Sequence, residues 1–124
     1  MRIEGQTISR RVGSAGIVTN LLQAINREDF TAARTFLQDD MRYIGVFGSR
    51  DGADASLAEV QQLSLKFGIR EVIAEGNEVA VFYDLSTSGV TLFAAGRFQI
   101  RDGKVILIHV VFDPRPVLET MAKK

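Results

Sequence analysis

Apolar positions follow a helical rhythm in the first half of the chain and a strand rhythm in the second. After Ser14, a candidate N-cap, Val18, Leu21, Leu22 and Ile25 recur at the i, i+3, i+4, i+7 spacing of a one-sided helix, which predicts a helix reaching Arg27. Asp29 stands where it would cap a second, short helix with Phe30, Ala33, Phe36 and Leu37 on its apolar side; Asp39 and Asp40 end it. "MRYIGVF", residues 41–47, alternates as a strand does, and "GSRDG", residues 48–52, breaks it. A third helix is expected over residues 55–66, with Leu57, Val60, Leu63 or Ser64, and Phe67 on one side and Gly68 closing it. The remainder reads as four strands, at 69–74, 77–87, 90–101 and 104–113, joined at Gly76-Asn77, Ser88-Gly89 and Asp102-Gly103. Asp-Gly is the strongest of these turn signals, because it suits a turn with positive φ. Consecutive hairpins imply a meander, and Pro114 and Pro116 stop its pairing because neither can donate to a ladder.

Helices followed by strands predict one α+β domain over residues 14–116, preceded by a loose arm at 1–13 and followed by a tail at 117–124. "VAVFYDL" and "VILIHVVF" are apolar at both odd and even positions, so both faces of the sheet need cover. Three short helices blanket only one face. The other is expected to pack on a second copy, giving a homodimer through the sheet.

Composition narrows the chemistry. Fifteen basic residues balance fifteen acidic ones among 124, so no net field draws in a nucleic acid or an anionic membrane. The absence of cysteine removes disulfides and thiolate chemistry, and a single histidine removes any site built from several imidazoles; no metal and no cofactor are expected. No apolar run is long enough to span a bilayer and no secretory h-region follows Arg10 and Arg11, which points to a cytoplasmic protein.

"LLQAINREDFTAARTFLQDDMRYIG" at 21–45, with its Asn-x-x-Asp-Phe pattern, and "GRFQIRDGKVILIHVVFD" at 96–113 resemble the nuclear transport factor 2-like superfamily in its SnoaL-like, polyketide cyclase-like branch. The resemblance implies a cystatin-like roll: three N-terminal helices on a curved, mixed or antiparallel sheet that closes a conical pocket for a small hydrophobic ligand. It implies a pocket lined by Leu21, Phe82, Leu92, Phe98, Ile108, Val110 and Phe112. Positions that carry the chemistry of ketosteroid isomerases fall on Leu21, Gly45 and Ala94, which handle no protons. Similarity to limonene-epoxide hydrolases is local: the tyrosine falls on Tyr43 and one aspartate on Asp84, while the asparagine, arginine and second aspartate fall on Gly45, near Phe82 and on Val110.

Three candidates for catalysis follow. Asp84 lies in an apolar strand, where desolvation would raise its pKa and prepare a general base; alternatively it is salt-bridged or partly wet. Tyr43 suits a pocket wall, with a ring to cover a ligand and a hydroxyl to donate one hydrogen bond. For His109 two counts disagree. A two-residue turn at Asp102-Gly103 pairs Phe98 with Leu107 and Gly96 with His109, facing the ring inward, where it could couple with Asp84. The family pattern puts Ile108, Val110 and Phe112 inward through a bulge and turns His109 to the dimer face. The activity expected is a cofactor-independent isomerase, cyclase or hydrolase, with a non-catalytic binding or dimerisation module as the alternative.

Overall fold

Local hydrogen bonding between residues 13 and 40 sets how the helices meet the sheet. The structure, a computed structural model, describes residues 13–122. The first helix, α1 (Ser14–Asn26), has Gly13 as its N-cap, so Ser14 does not cap it; the Ser14 hydroxyl instead donates to the carbonyl of Gly76, 2.7 Å away. The remainder of the expected N-terminal arm, residues 1–12, lies outside the described residues. At the other end Asn26 donates to the carbonyl of Phe67 and accepts from its amide, both at 2.8 Å, which locks α1 to a strand edge. Asp29 caps α2 (Phe30–Arg34) by accepting from the amide of Ala32. The Asn-x-x-Asp-Phe pattern is therefore a helix tether followed by a helix cap.

Six strands follow, with a third helix inserted: β1 (Leu37–Gly45), β2 (Gly48–Asp51), α3 (Ala53–Gln62), β3 (Lys66–Glu75), β4 (Glu78–Thr87), β5 (Val90–Arg101) and β6 (Lys104–Phe112). They form one curved sheet in the order β2-β1-β6-β5-β4-β3, antiparallel throughout except that β1 runs parallel to β6. The expected α+β class and mixed sheet are what is found. Several boundaries move, among them the third helix, which ends at Gln62 rather than residue 66 so that Lys66, Phe67 and Gly68 open β3. The first strand begins at Leu37 rather than residue 41, because Arg34 reaches past the helix end to the carbonyl of Leu37 and to Asp39. "GSRDG" is largely a strand, β2, paired to β1 with Tyr43 opposite Arg50. The tail is helical at α4 (Arg115–Ala122), with Pro116 in the first turn, where its missing N–H costs no hydrogen bond. No helix among the described residues is long and apolar enough to cross a membrane.

A two-residue turn, Asp102 and Gly103 both at positive φ, joins β5 to β6 as anticipated, but the register slips beyond it. Ile100 pairs with Val105 and Gln99 with Leu107, so Ile106 is an extra residue, a β-bulge. Phe98 then faces Ile108, Gly96 faces Val110 and Arg97 faces His109. The turn-based count, which paired Gly96 with His109, is corrected: the bulge reverses the alternation beyond it.

Helices α1 and α3 lie on the inner face of the sheet, and the core between them includes Leu21, Leu22, Met41, Tyr83, Phe98 and Val105. Gly96 sits under the two largest of these side chains. A methyl group there would stand 2.9 Å from Cε1 of Phe98 and 3.2 Å from Cε2 of Tyr83. Both rings are fully buried and have no space to retreat. Gly96→Ala is accordingly expected to destabilise the fold by about 1–3 kcal/mol, measured as a shift in urea midpoint at constant slope.

Candidate functional site

Between the inner face of the sheet and α3 lies an outer chamber of about 180 Å³, continued inward by a smaller one of about 40 Å³. Tyr43, Ser56, Val60, Leu65 and Leu85 border both, so the two read as one tapering space. Of the residues expected to line it, Leu92 and Phe112 border the outer chamber, and Leu21, Phe98, Ile108 and Val110 the inner one. Phe82 does not. It alternates with inward Val81 and Tyr83, and so lies on the outer face of β4, where its ring stacks on Phe93 with centroids 6.3 Å apart.

Tyr43 follows buried Met41 on the inward side of β1. Its ring folds back along its own strand over Gly45, where a Cβ would stand 2.9 Å from Cε1. Gly45 is thus the residue that lets this ring lie flat in the chamber wall. Burial, and then the negative charge of nearby Glu59, push the Tyr43 hydroxyl's pKa above its ordinary value, so it stays protonated and able to donate across the neutral range. Tyr83 is buried deeper still. Its ring meets Phe67 edge to face at 5.2 Å, and burial, reinforced by Tyr43, pushes its pKa far above the ordinary tyrosine value.

Helix α3 brings the other polar groups. Ser56 is only 7% exposed, and its hydroxyl has no hydrogen-bond partner among the described residues. A helical serine commonly bonds back to the carbonyl four residues earlier; here the Gly52 carbonyl accepts from the Ser56 amide alone. Such an orphan costs about 1–3 kcal/mol of desolvation. One turn further, Glu59 accepts from Arg50 Nε at 2.7 Å, an ion pair that ties edge strand β2 to α3 at the chamber rim. Both members are partly exposed, so the pair positions the rim more than it stabilises the fold.

The other two expected catalytic residues are elsewhere. Asp84 lies on the outer face, where Arg70 Nε donates to it at 3.0 Å and the same guanidinium sits 5.5 Å above the Phe93 ring. The cause is a second bulge, at Arg70 in β3, which aims that side chain over the outer face. His109 is exposed on the outer face, across from Arg97. Asp84 pairs with Phe93 and His109 with Arg97, so two strand spacings and four residues separate them, roughly 16 Å. They form no acid/base couple, and of the three candidates only Tyr43 borders the chamber.

Reading the sequence missed Ser56, Glu59, Arg50 and Tyr83. One signal was present: Ala53, Ser56, Leu57 and Val60 have the i, i+3, i+4, i+7 spacing of the buried stripe, so Ser56 is a polar residue in an apolar register. Glu59 and Arg50 carried none, since the segment holding Arg50 reads as a break rather than a strand.

An α+β roll enclosing a tapering apolar chamber is the class of protein these features define. The chain belongs to the SnoaL-like domain family, whose profile matches residues 18–108, within the nuclear transport factor 2-like superfamily. No curated protein matches it in sequence. Among solved structures it is similar to an NTF2-like protein of unknown function from Cytophaga hutchinsonii, at 28% identity and a TM-score of 0.85, over 89% of this chain and 98% of that one. An LEH-like epoxide hydrolase of M. tuberculosis shares the fold at 23% identity and a TM-score of 0.74, over 89% and 90% of the two chains. TerC, co-crystallised with polyporic acid, shares it at 18% identity and a TM-score of 0.75, over 88% and 98%.

The buried tyrosines make the site a reporter of its own integrity. A hydroxyl whose folded pKa is raised leaves stability undiminished below the unfolded value of about 10, and stability falls as pH rises above it. The chain has two tyrosines only. Absorbance at 295 nm should therefore rise only above the pH at which free tyrosine ionises, and the Tyr83 part of that rise should coincide with loss of the far-ultraviolet circular dichroism signal. Separate, reversible titration of both rings near pH 10 in folded protein would contradict the burial described.

Proposed function

We propose that this chain binds a small, largely apolar molecule carrying an oxygen function in the tapering chamber, with Tyr43 as hydrogen-bond donor. The observation that carries this reading is the lining: an apolar wall interrupted at few points, by groups able to hold one polar atom. Size sets the ligand class. A cavity near 150 Å³ accommodates benzene, so about 180 Å³ with its inner extension suits roughly six to ten heavy atoms. A steroid skeleton exceeds this space.

A cofactor-independent isomerase, cyclase or hydrolase activity is the second reading, favoured by a protonated Tyr43 hydroxyl and the Glu59 carboxylate lining the same chamber. Relatives of this fold include an epoxide hydrolase, which supports turnover of a small oxygenated substrate. Glu59 then takes the place that Asp84 was expected to fill as base, since Asp84 is on the opposite face of the sheet.

The outer face is further proposed as a homodimer interface. Ile73, Phe93 and Val111 are each more than half exposed there, beside the Phe82 ring. Apolar surface of that kind on a sheet face is covered most economically by the same surface of a second copy. His109, Arg97 and the Arg70–Asp84 pair would then belong to the contact rather than to catalysis.

Two measurements test these readings. p-Xylene should raise the melting temperature of the wild-type chain while a steroid does not, and Leu92→Trp, which fills the outer chamber, should abolish the p-xylene effect without lowering the melting temperature by more than a few degrees. A wild-type chain indifferent to every ligand of this size class would overturn the pocket. Phe93→Glu should convert a dimer seen by light scattering into a folded monomer; a wild-type monomer at high concentration would remove the interface.

A further inference from the structure

Among the described residues one fully buried side-chain oxygen has no hydrogen-bond partner, and it borders the chamber from α3 rather than from the sheet. Ser56 is the buried polar residue among the described residues, and its Oγ is the buried side-chain oxygen left without a partner. It borders both chambers, at the point where the outer one narrows into the inner. Natural folds seldom keep an unpaired buried hydroxyl where alanine would fit, because buried polar groups otherwise find partners. Helix propensity and burial both favour alanine at this position. The group retained there is explained if something that is not protein completes it.

Resting on the pocket reading above, we infer that Ser56 anchors the ligand, through a hydrogen bond from or to one uncharged oxygen, a hydroxyl or a carbonyl, at the waist of the chamber. The oxygen is uncharged because the rim already neutralises itself: Arg50 and Glu59 pair at 2.7 Å, leaving no net charge at the mouth to hold an ion, and the walls beyond are apolar. Ser56 both donates and accepts, and the protonated Tyr43 hydroxyl borders the same space, so either type of oxygen can be met. The hydrocarbon portion then fills the outer chamber against Leu85, Leu92 and Phe112.

Three probes of eight heavy atoms separate the possibilities: p-xylene, p-cresol and 4-methylcyclohexanone, each titrated into wild type and Ser56→Ala with melting temperature and calorimetric affinity as readouts. In wild type p-cresol, 4-methylcyclohexanone or both should bind roughly three- to tenfold more tightly than p-xylene, the worth of one good hydrogen bond. In Ser56→Ala that preference should fall by at least threefold, to what the Tyr43 hydroxyl alone supplies, while the p-xylene affinity stays within twofold. The unliganded variant should also melt a few degrees higher than wild type, because an unpaired polar atom has left the interior. Equal affinity for all three probes in wild type, or a preference that is undiminished in Ser56→Ala, overturns the anchor and leaves the pocket standing. Failure of all three to bind wild type removes the pocket and the anchor together. An unliganded Ser56→Ala that melts lower than wild type also overturns the inference, since the hydroxyl would then be satisfied within the fold. Which of the two oxygenated probes is preferred identifies the ligand's oxygen as hydroxyl or carbonyl.

Discussion

Side chains on a strand alternate between faces with a period of two, so one additional residue reverses every assignment beyond it. In this chain that residue is Ile106. Without its bulge, β6 would turn His109 and Val111 toward the helices and leave Ile108, Val110 and Phe112 outside. With it, the imidazole is directed away from the interior and the chamber gains an unbroken aliphatic and aromatic wall. The bulge also adds twist, which a sheet needs if it is to curl over α1 and α3 rather than lie flat beneath them. The dryness of the pocket wall and the exposure of His109 on the opposite face are two results of one local irregularity.

Two glycines perform the complementary task of making room. Gly96 admits the ends of the Phe98 and Tyr83 rings, and Gly45 admits the ring of Tyr43. In each case the missing Cβ lets an aromatic ring lie along the sheet instead of standing up from it, which lowers the chamber floor. Both positions are in extended backbone, so the need is for space rather than for an unusual φ. Space gained by removing side chains from strands is costly to cooperativity, because glycine weakens a strand interior. The close packing of Tyr83, Phe67 and Phe98 offsets it.

Much of the architecture was legible in the sequence, and the reasons are local. Val18, Leu21, Leu22 and Ile25 announce α1, Asp29 announces the cap of α2, and Asp102-Gly103 announces the last hairpin, because each signal is contained within a few consecutive residues. The site was far less legible. An apolar strand context leaves Asp84 open to two readings, a pocket carboxylate or a salt-bridged one; Tyr83 and Leu85 on either side of it are the buried members and leave it facing out, paired with Arg70. What fixed its partner was the Arg70 bulge on another strand, which no periodicity within β4 reveals. Arg50 and Glu59 meet across a turn and a helix start, and "GSRDG" looks like a break because its glycines and charges hide a four-residue edge strand. Bulges and short edge strands are long-range solutions to curvature, and single-sequence patterns record curvature poorly.

The charged residues of the two faces are handled by different physics, and this argues for a division of labour. On the outer face Asp84 is matched by Arg70, Glu78 by Arg97 and Gln99, and these groups stand beside Phe82, Phe93 and Val111. Charges already paired within one chain lose less on desolvation than lone ones, so a face built this way can be covered by another surface without stranding a charge. On the inner face the ionisable groups are two tyrosines held neutral by burial and one carboxylate tethered to arginine at the rim. A neutral interior with a self-compensated mouth favours uncharged guests and disfavours ions, whatever chemistry follows. In the proposed binding role, exclusion of charge would precede recognition by hydrogen bonding, and the few hydroxyls inside would be left to discriminate among the molecules that the entrance admits.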